Sequence, residues 1–355
     1  MNKTAVISGL SGQDARYLAQ LLLSKDYKVY GTMRRLSNPD MDFINECSLE
    51  DVELLEMDLA DNSSIYKIIS EIKPTEFYNL ASMSHVGTSF NQPEHTANIT
   101  GLGPLRILEN IRLHSPSTKY YNAGSSEQFG NVPSWPQNEN TPFDPQSPYA
   151  AAKVFSHHIT KVYRHSYGIF ACCGILQNHE SPYRSKDFVT RKITSWIGQY
   201  VNRVTSSIKP LELGNLDSQR DWSHAKDMVR GMYLMMQQDK PDDFVLGSGE
   251  SHSVREFCEI AFEMINIKLI WEGSGIDEVG KNAENGEILI KINPKFYRPL
   301  EVHKLQGDPS KAHKLLNWYR EYSFRELIKE MVYSDIYVYS TDKTNYPKAF
   351  SPVTE

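Results

Sequence analysis

The chain has 355 residues and a formal net charge of −6, with an isoelectric point near 6.0, which argues against a nucleic-acid or anionic-membrane surface. Hydrophobic residues make up 40% and charged residues 23% of it, the balance of an ordinary globular protein with room for one large or two modest domains. No apolar run approaches the length of a membrane span, and the four cysteines (Cys47, Cys172, Cys173, Cys258) show neither Cys-x-x-Cys spacing nor a disulfide framework, so free thiols in a reducing cytoplasm are expected.

The first predicted strand, over 4–8, runs into Gly9-Leu10-Ser11-Gly12-Gln13-Asp14-Ala15 and an amphipathic helix over 14–24. Strand, tight glycine turn and helix start are the context of a dinucleotide site. Gly9 permits the turn, Gly12 lets backbone amides approach a pyrophosphate at the positive end of the helix, and Ala15 keeps the third position small. A second strand over 28–33 ends in Met33-Arg34-Arg35. An acidic residue there would hold ribose hydroxyls, whereas arginines suit a 2′-phosphate, so NADP is expected. Asp58-Leu59 follows the next short strand and is placed at the adenine. Asn79-Leu80-Ala81-Ser82 ends a strand over 76–80 above the same crevice. Further strands are predicted over 119–123 and 170–176, with helices over 63–72, 105–113 and 147–167. This alternation specifies an α/β fold, a Rossmann-type doubly wound parallel sheet, joined by a smaller mixed α/β substrate-binding domain.

The chemistry sits between the last two of these strands, in Ser125-Ser126-Glu127 and Ser147-Pro148-Tyr149-Ala150-Ala151-Ala152-Lys153. Tyr149 and Lys153 are four residues apart on a helix and so share one face. A lysine ammonium near a phenol stabilises the phenolate, which lets the tyrosine act as a base near neutral pH. With Ser125 they form a set for moving a hydride on and off a hydroxyl-bearing carbon. Glu127, two residues beyond Ser125 and read as strand end, should point the same way. A carboxylate there can remove a carbon-bound proton acidified by a neighbouring ketone. His179-Glu180 lacks a further ligand at suitable spacing, and no metal is expected.

Residues 1–176 are expected to form the NADP-binding domain, with a segment at about 211–235 returning to it. Residues 177–335 would be mainly the substrate domain, interleaved with the first, and 336–355 a tail.

Beyond these single features, consecutive motifs resemble one family. They are Ser8-Gly9-Leu10-Ser11-Gly12-Gln13-Asp14, Tyr78-Asn79-Leu80-Ala81, Ser84-His85-Val86, Ser125-Ser126-Glu127, Ser147-Pro148-Tyr149-Ala150, Asn178-His179-Glu180-Ser181-Pro182, Phe188-Val189-Thr190-Arg191-Lys192, Leu213-Gly214-Asn215-Leu216-Asp217, Arg220-Asp221-Trp222 and Arg298-Pro299. Together, over residues 1 to about 335, they resemble the extended short-chain dehydrogenase/reductases and, within them, the GDP-mannose 4,6-dehydratases.

The resemblance implies an internal redox cycle on GDP-mannose. Carbon 4 is oxidised with NADP and Tyr149 as base, Glu127 removes the carbon-5 proton, water leaves from carbon 6, and hydride returns there. Ser125 fills a place usually held by threonine. Ser126 stands where the related dTDP-glucose dehydratases carry an aspartic acid, which favours the GDP-mannose branch. The resemblance also places His179 and Arg184 at the cofactor. It places Ser84, Asn178, Val189, Lys192, Gly214, Arg220, Arg298 and Glu301 at the sugar nucleotide, with the cations around its diphosphate.

The chain departs from the family pattern at Ala15 (glycine), Ser82-Met83 (Ala-Gln), Gln128-Phe129 (Leu-Tyr) and Tyr183 (arginine), and in a shorter segment after Arg35. In the family that segment reaches a neighbouring subunit's cofactor, so a homo-oligomer is expected, tetramer or dimer. The changes near the sugar leave room for a modified substrate such as a GDP-heptose. An NADP-dependent GDP-sugar epimerase or reductase would share Tyr149 and Lys153 but would not need Glu127.

Overall fold

The structure, a computed structural model, describes residues 3–37, 41–204, 208–297 and 300–341. Seven strands form one parallel sheet in the spatial order Phe244–Leu246, Ala171–Leu176, Lys119–Ala123, Glu76–Asn79, Thr4–Ser8, Lys28–Met33, Glu53–Glu56. Residues next to each other in a strand face opposite sides of the sheet. Ala5, Ile7, Tyr78 and Tyr121 therefore join one core with the helices Gln13–Leu23 and Ala225–Met236. Val6, Phe77 and Tyr120 join the other, with Asn62–Ile72, Gly103–His114 and Pro148–Tyr167. Chain order reverses between Thr4–Ser8 and Glu76–Asn79, which opens a crevice at the C-terminal ends of the strands, where open α/β sheets bind ligands.

Local chemistry explains the element ends. Asp61 caps Asn62–Ile72 by accepting from Ser63 N (3.0 Å) and Ser64 N (3.1 Å). Ser147 caps the long helix through Ala150 N (3.1 Å), Pro148 occupies the first turn, and Gly168 closes it at φ +67°. The strand expected over 76–80 stops at Asn79 because the Leu80 amide leaves the ladder for the Ser8 hydroxyl (3.0 Å). Helix 105–113 begins two residues earlier, at Gly103, behind a π-helical turn over Ala97–Leu102. Gly101 in that turn faces Ala152 and Phe155 of the long helix, so glycine here marks close packing rather than a break.

The second domain holds a four-stranded sheet, Leu269–Glu272, Val279–Asn282, Ile288–Ile292 and Leu211–Leu213. Its core lies against Val189–Val201, Val254–Glu263 and Phe324–Tyr339. One correction to the expected boundaries follows. Leu211–Leu213 pairs with this smaller sheet, and the segment returning to the large sheet is Ala225–Met236 with the strand Phe244–Leu246. That strand is too short to show periodicity; parallel pairing with 174–176 and a bond from Val245 N to Glu139 Oε1 (2.7 Å) hold it. The last helix continues through Tyr339, inside the stretch read as tail, and 342–355 lie outside the described residues. Among the described residues no helix is long and apolar enough to cross a membrane.

Candidate active site

A single cleft of about 1690 Å³ runs along the C-terminal edge of the large sheet and beneath the second domain. That volume exceeds what a drug-sized ligand needs, leaving room for two nucleotide-sized molecules. Every residue named above as a site candidate lines it, except Arg298, which lies outside the described residues.

At one end Gly9 sits at φ +77°, and a Cβ there would lie 3.1 Å from Ala81 Cα, so only glycine fits. Gly9 N and Leu10 N both donate to the Thr32 carbonyl (3.0 Å each). Gly12 precedes Gln13–Leu23 with no side-chain cap, leaving the first-turn amides for an anion. Ala15 is buried against the sheet, as the small third position requires. Arg34 and Arg35 are exposed at the rim beyond Met33, and among the described residues neither makes an ion pair. Asp58 Oδ1 accepts from Ala60 N (2.8 Å), and buried Leu59 packs on Gly103. The Leu80 and Ala81 amides both donate to Ser8 Oγ (3.0 Å each). Ser11 lines the same turn, its carbonyl held by the Arg16 guanidinium (2.9 Å). These residues fit a dinucleotide: a cradle closed to any Cβ, an uncapped helix start and free cations at the ribose end.

In the centre, the helix carries Tyr149 and Lys153 into the cleft, both buried. Ser125 caps a single 3-10 turn over Ser126–Gln128, accepting from Glu127 N (3.3 Å). This corrects the strand reading of Glu127: the strand ends at Ala123, and a tight turn brings the buried carboxylate into the cleft with Ser125. The electrostatics also differ from the expectation. Burial pushes Tyr149 up to about 12, against the opposing pull of the Ser125 hydroxyl. Burial pulls Lys153 down to about 8. Its ammonium lies 5.8 Å from the Tyr149 ring centroid and is bonded to the Ala123 carbonyl (2.5 Å) rather than to the phenol. The helical spacing placed both groups on one face but did not foresee this carbonyl.

At the far end, Asn178 Oδ1 is buried without a hydrogen-bond partner, an acceptor ready for a hydroxyl. The Lys192 ammonium lies 3.4 Å from the Phe296 ring centroid. Arg220 is buried, donating to the Gln219 and Val302 carbonyls (2.9 and 2.8 Å). Arg184 lies over Phe188 and beside Glu180 Oε2 (3.0 Å), and His179 pairs with Asp14 (2.8 Å). Glu301 accepts from Ser218 Oγ (2.9 Å). Ser84, Val189 and Gly214 line the walls, Gly214 against the Phe296 backbone.

Sequence reasoning missed two features here. Phe296 and Tyr297, about half exposed in the cleft wall, follow a stretch with no motif to flag them. Asp221 accepts four bonds, from Ser248 N, Ser248 Oγ, Gly249 N and Gly307 N (2.8, 2.6, 3.0 and 3.1 Å), and so ties distant loops behind Arg220. Its place between Arg220 and Trp222 in a quoted motif was the available signal.

Residues 6–331 match the family model described as GDP-mannose 4,6 dehydratase. A GDP-mannose 4,6 dehydratase of Drosophila melanogaster is 46% identical, covering 94% of this chain and 86% of its own. A second from Caenorhabditis elegans is 48% identical over 96% and 91%, and one from Vibrio cholerae 44% over 95% and 95%. Among solved structures, a UDP-glucose 4-epimerase from Thermotoga maritima superposes with TM-score 0.78 at 20% identity, covering 93% and 97%. A Bacillus anthracis dTDP-glucose 4,6-dehydratase in complex with NAD gives 0.76 at 15%, covering 95% and 96%. At these identities the two structures speak for the fold alone.

Proposed function

The chain belongs to the GDP-mannose 4,6-dehydratase family, and on that premise we propose that it dehydrates GDP-mannose to GDP-4-keto-6-deoxymannose with NADP as its resident cofactor. The observation that carries this reading is the meeting of Ser125, Glu127, Tyr149 and Lys153 in one cleft, between an anion-ready helix start and a cluster of cations. The bound nicotinamide supplies the hydride sink and source, taken from carbon 4 and given back at carbon 6, with no net redox change. Tyr149 takes the carbon-4 hydroxyl proton, and Ser125 bonds the same oxygen. Lys153, cationic at neutral pH, favours the phenolate and holds ribose hydroxyls. Glu127 removes the carbon-5 proton that the new ketone has acidified and passes it to the departing carbon-6 hydroxyl, which leaves as water; when hydride returns to carbon 6, the proton held by Tyr149 goes back to carbon 5. Asn178, Lys192 and Arg220 hold the diphosphate and sugar, and Glu301 the ribose.

Incubating the protein with GDP-mannose, with and without added NADP, and weighing the sugar nucleotide by mass spectrometry tests this reading. Loss of one water without net cofactor reduction is expected. An isomerised product of unchanged mass would put the epimerase in its place.

The choice of NADP rests on Arg34 and Arg35. Changing both to glutamine is expected to weaken NADP roughly tenfold or more, through loss of charge-assisted bonds to the 2′-phosphate, and to leave NAD nearly unaffected. Equal losses for both, measured by calorimetry, would overturn the assignment.

The chain self-associates in this reading. Phe155 and Val162 form an exposed apolar stripe on the long helix, with exposed Leu102 beside it on the neighbouring turn. Such a stripe at helical spacing suits the same stripe of a second copy. Phe155→Glu with Val162→Glu is expected to give monomers by light scattering; an unchanged mass would remove this face as the contact. Residues 38–40, in the segment bearing on tetramer against dimer, lie outside the described residues. The four cysteines are buried free thiols, which suits the reducing cytoplasm expected for the chain.

A further inference from the structure

Asp14 brings a negative charge to the expected pyrophosphate site. It stands in the first turn of Gln13–Leu23, where a carboxylate competes with a bound phosphate for the same helix amides and repels it. Its Oδ1 is buried in the cleft without a hydrogen-bond partner. Its Oδ2 meets His179 Nε2 at 2.8 Å.

The other ring nitrogen decides the charge of this pair. His179 Nδ1 lies 2.7 Å from the Gln177 carbonyl, which can only accept, so Nδ1 carries a proton. The proton between Nε2 and Asp14 then belongs either to an imidazolium facing a carboxylate or to a neutral ring facing a carboxylic acid. Burial works against both charges. The charge and hydrogen bond of His179, helped by Arg184, nevertheless hold Asp14 below its ordinary value, and Asp14 raises His179 above 6.5. The pair is ionic.

Two neutral bonds run parallel to it. Gln13 Nε2 donates to the His179 carbonyl (2.8 Å), and Ser181 Oγ donates to Gln13 Oε1 (2.8 Å). The start of the cofactor helix is thus stitched to the strand Asn178–Glu180, whose first residue lines the cleft. The other charged and titratable groups facing the pair are few. Arg184 approaches from the following loop, itself beside Glu180 (3.0 Å). Tyr149 and Lys153 approach from the long helix and Tyr121 from the sheet; the Asp14 charge adds to the burial that raises both tyrosines and opposes the burial that lowers Lys153.

We propose that His179 is a positioning residue whose imidazolium cancels the charge of Asp14, so that the helix start accepts a dinucleotide pyrophosphate while staying tied to the Asn178 strand. The inference rests on the dinucleotide reading of this cleft. Its sign with pH is fixed. Because His179 is raised above its unfolded value, the neutralisation is complete below pH 6.5 and is lost as pH rises through the folded value. Above that value the cleft carries an uncompensated carboxylate.

The test is NADP binding to the full chain by calorimetry across that range, on wild type, His179→Gln, Asp14→Asn and the double variant, each checked for folding by circular dichroism. Wild-type affinity should fall about tenfold on the alkaline side. His179→Gln keeps a hydrogen-bond donor but no charge; it should bind about tenfold more weakly at pH 6.5 and lose the alkaline fall. Asp14→Asn should shift or remove the fall, and the double variant should bind more tightly than His179→Gln alone. A double variant no tighter than His179→Gln, or an alkaline fall that survives in His179→Gln, overturns the proposal. Should His179→Gln fail to fold, the fall must still move to lower pH or disappear in Asp14→Asn. Wild type that binds no NADP at any pH removes the cofactor reading and this inference with it.

Discussion

Glu127→Gln is expected to cut water elimination roughly a thousandfold while NADP affinity stays unchanged, because the amide keeps the shape of the carboxylate but cannot take a proton. Glu127 lies in the cleft at the 3-10 turn capped by Ser125, so the substitution alters neither strand nor helix. The proton concerned is on carbon, and only a base at that point of the cleft can remove it once carbon 4 is a ketone. The decisive measurement follows that proton rather than the product. GDP-mannose recovered from heavy water should carry deuterium at carbon 5 after reversible turnover by wild type and none after exposure to the variant. Elimination at a rate within about tenfold of wild type would mean that another group serves as the base. An epimerase on this scaffold would hardly register the change.

Tyr149→Phe is expected to remove a larger share of turnover, roughly a thousandfold to ten-thousandfold, with the fold intact and binding of GDP-mannose little changed. Phenylalanine fills the same buried volume, and the helix keeps Ser147 as its cap and Pro148 in its first turn. What disappears is the hydroxyl that burial holds at about 12. A phenol that weakly acidic is no base on its own at neutral pH, so its work depends on groups that favour the phenolate, the Ser125 hydroxyl and the Arg184 charge among them. Wild-type turnover should accordingly rise with pH on the acid side, and initial rates by mass spectrometry would show that rise absent from Tyr149→Phe. Unchanged activity in the variant would sink the base assignment.

The sheet was legible in the sequence where a strand was long enough to show its apolar run and was followed by a turn with chemistry of its own. Thr4–Ser8 with Gly9 and Gly12 is one instance, and Lys119–Ala123 with Ser125 is another. Strands of two or three residues left no pattern. Phe244–Leu246 and Leu211–Leu213 owe their places to pairing partners far away in the chain, and the second lies in the smaller sheet although its stretch was expected to return to the first domain. The site residues were legible as a set because several motifs pointed to one cleft. Their individual geometry was not. Spacing put Lys153 on the face of Tyr149, but the carbonyl of Ala123, thirty residues earlier in the chain, captures its ammonium. Likewise the pairing of Asp14 with His179 joins residues 165 positions apart, and no local pattern announces it.

That captured ammonium has a consequence for how the protein can evolve. Keeping Lys153 charged in a dry interior, with its pKa pulled down to about 8, costs the native state on the order of 3 kcal/mol relative to an exposed lysine, partly offset by its bond to Ala123. Folded domains hold only about 5–15 kcal/mol in reserve, so a good part of that margin is committed to one side chain. Mutational drift toward methionine or leucine at this position would favour the fold and end the chemistry. Selection on turnover alone keeps the lysine, and the rest of the sequence must carry the surplus stability that it consumes.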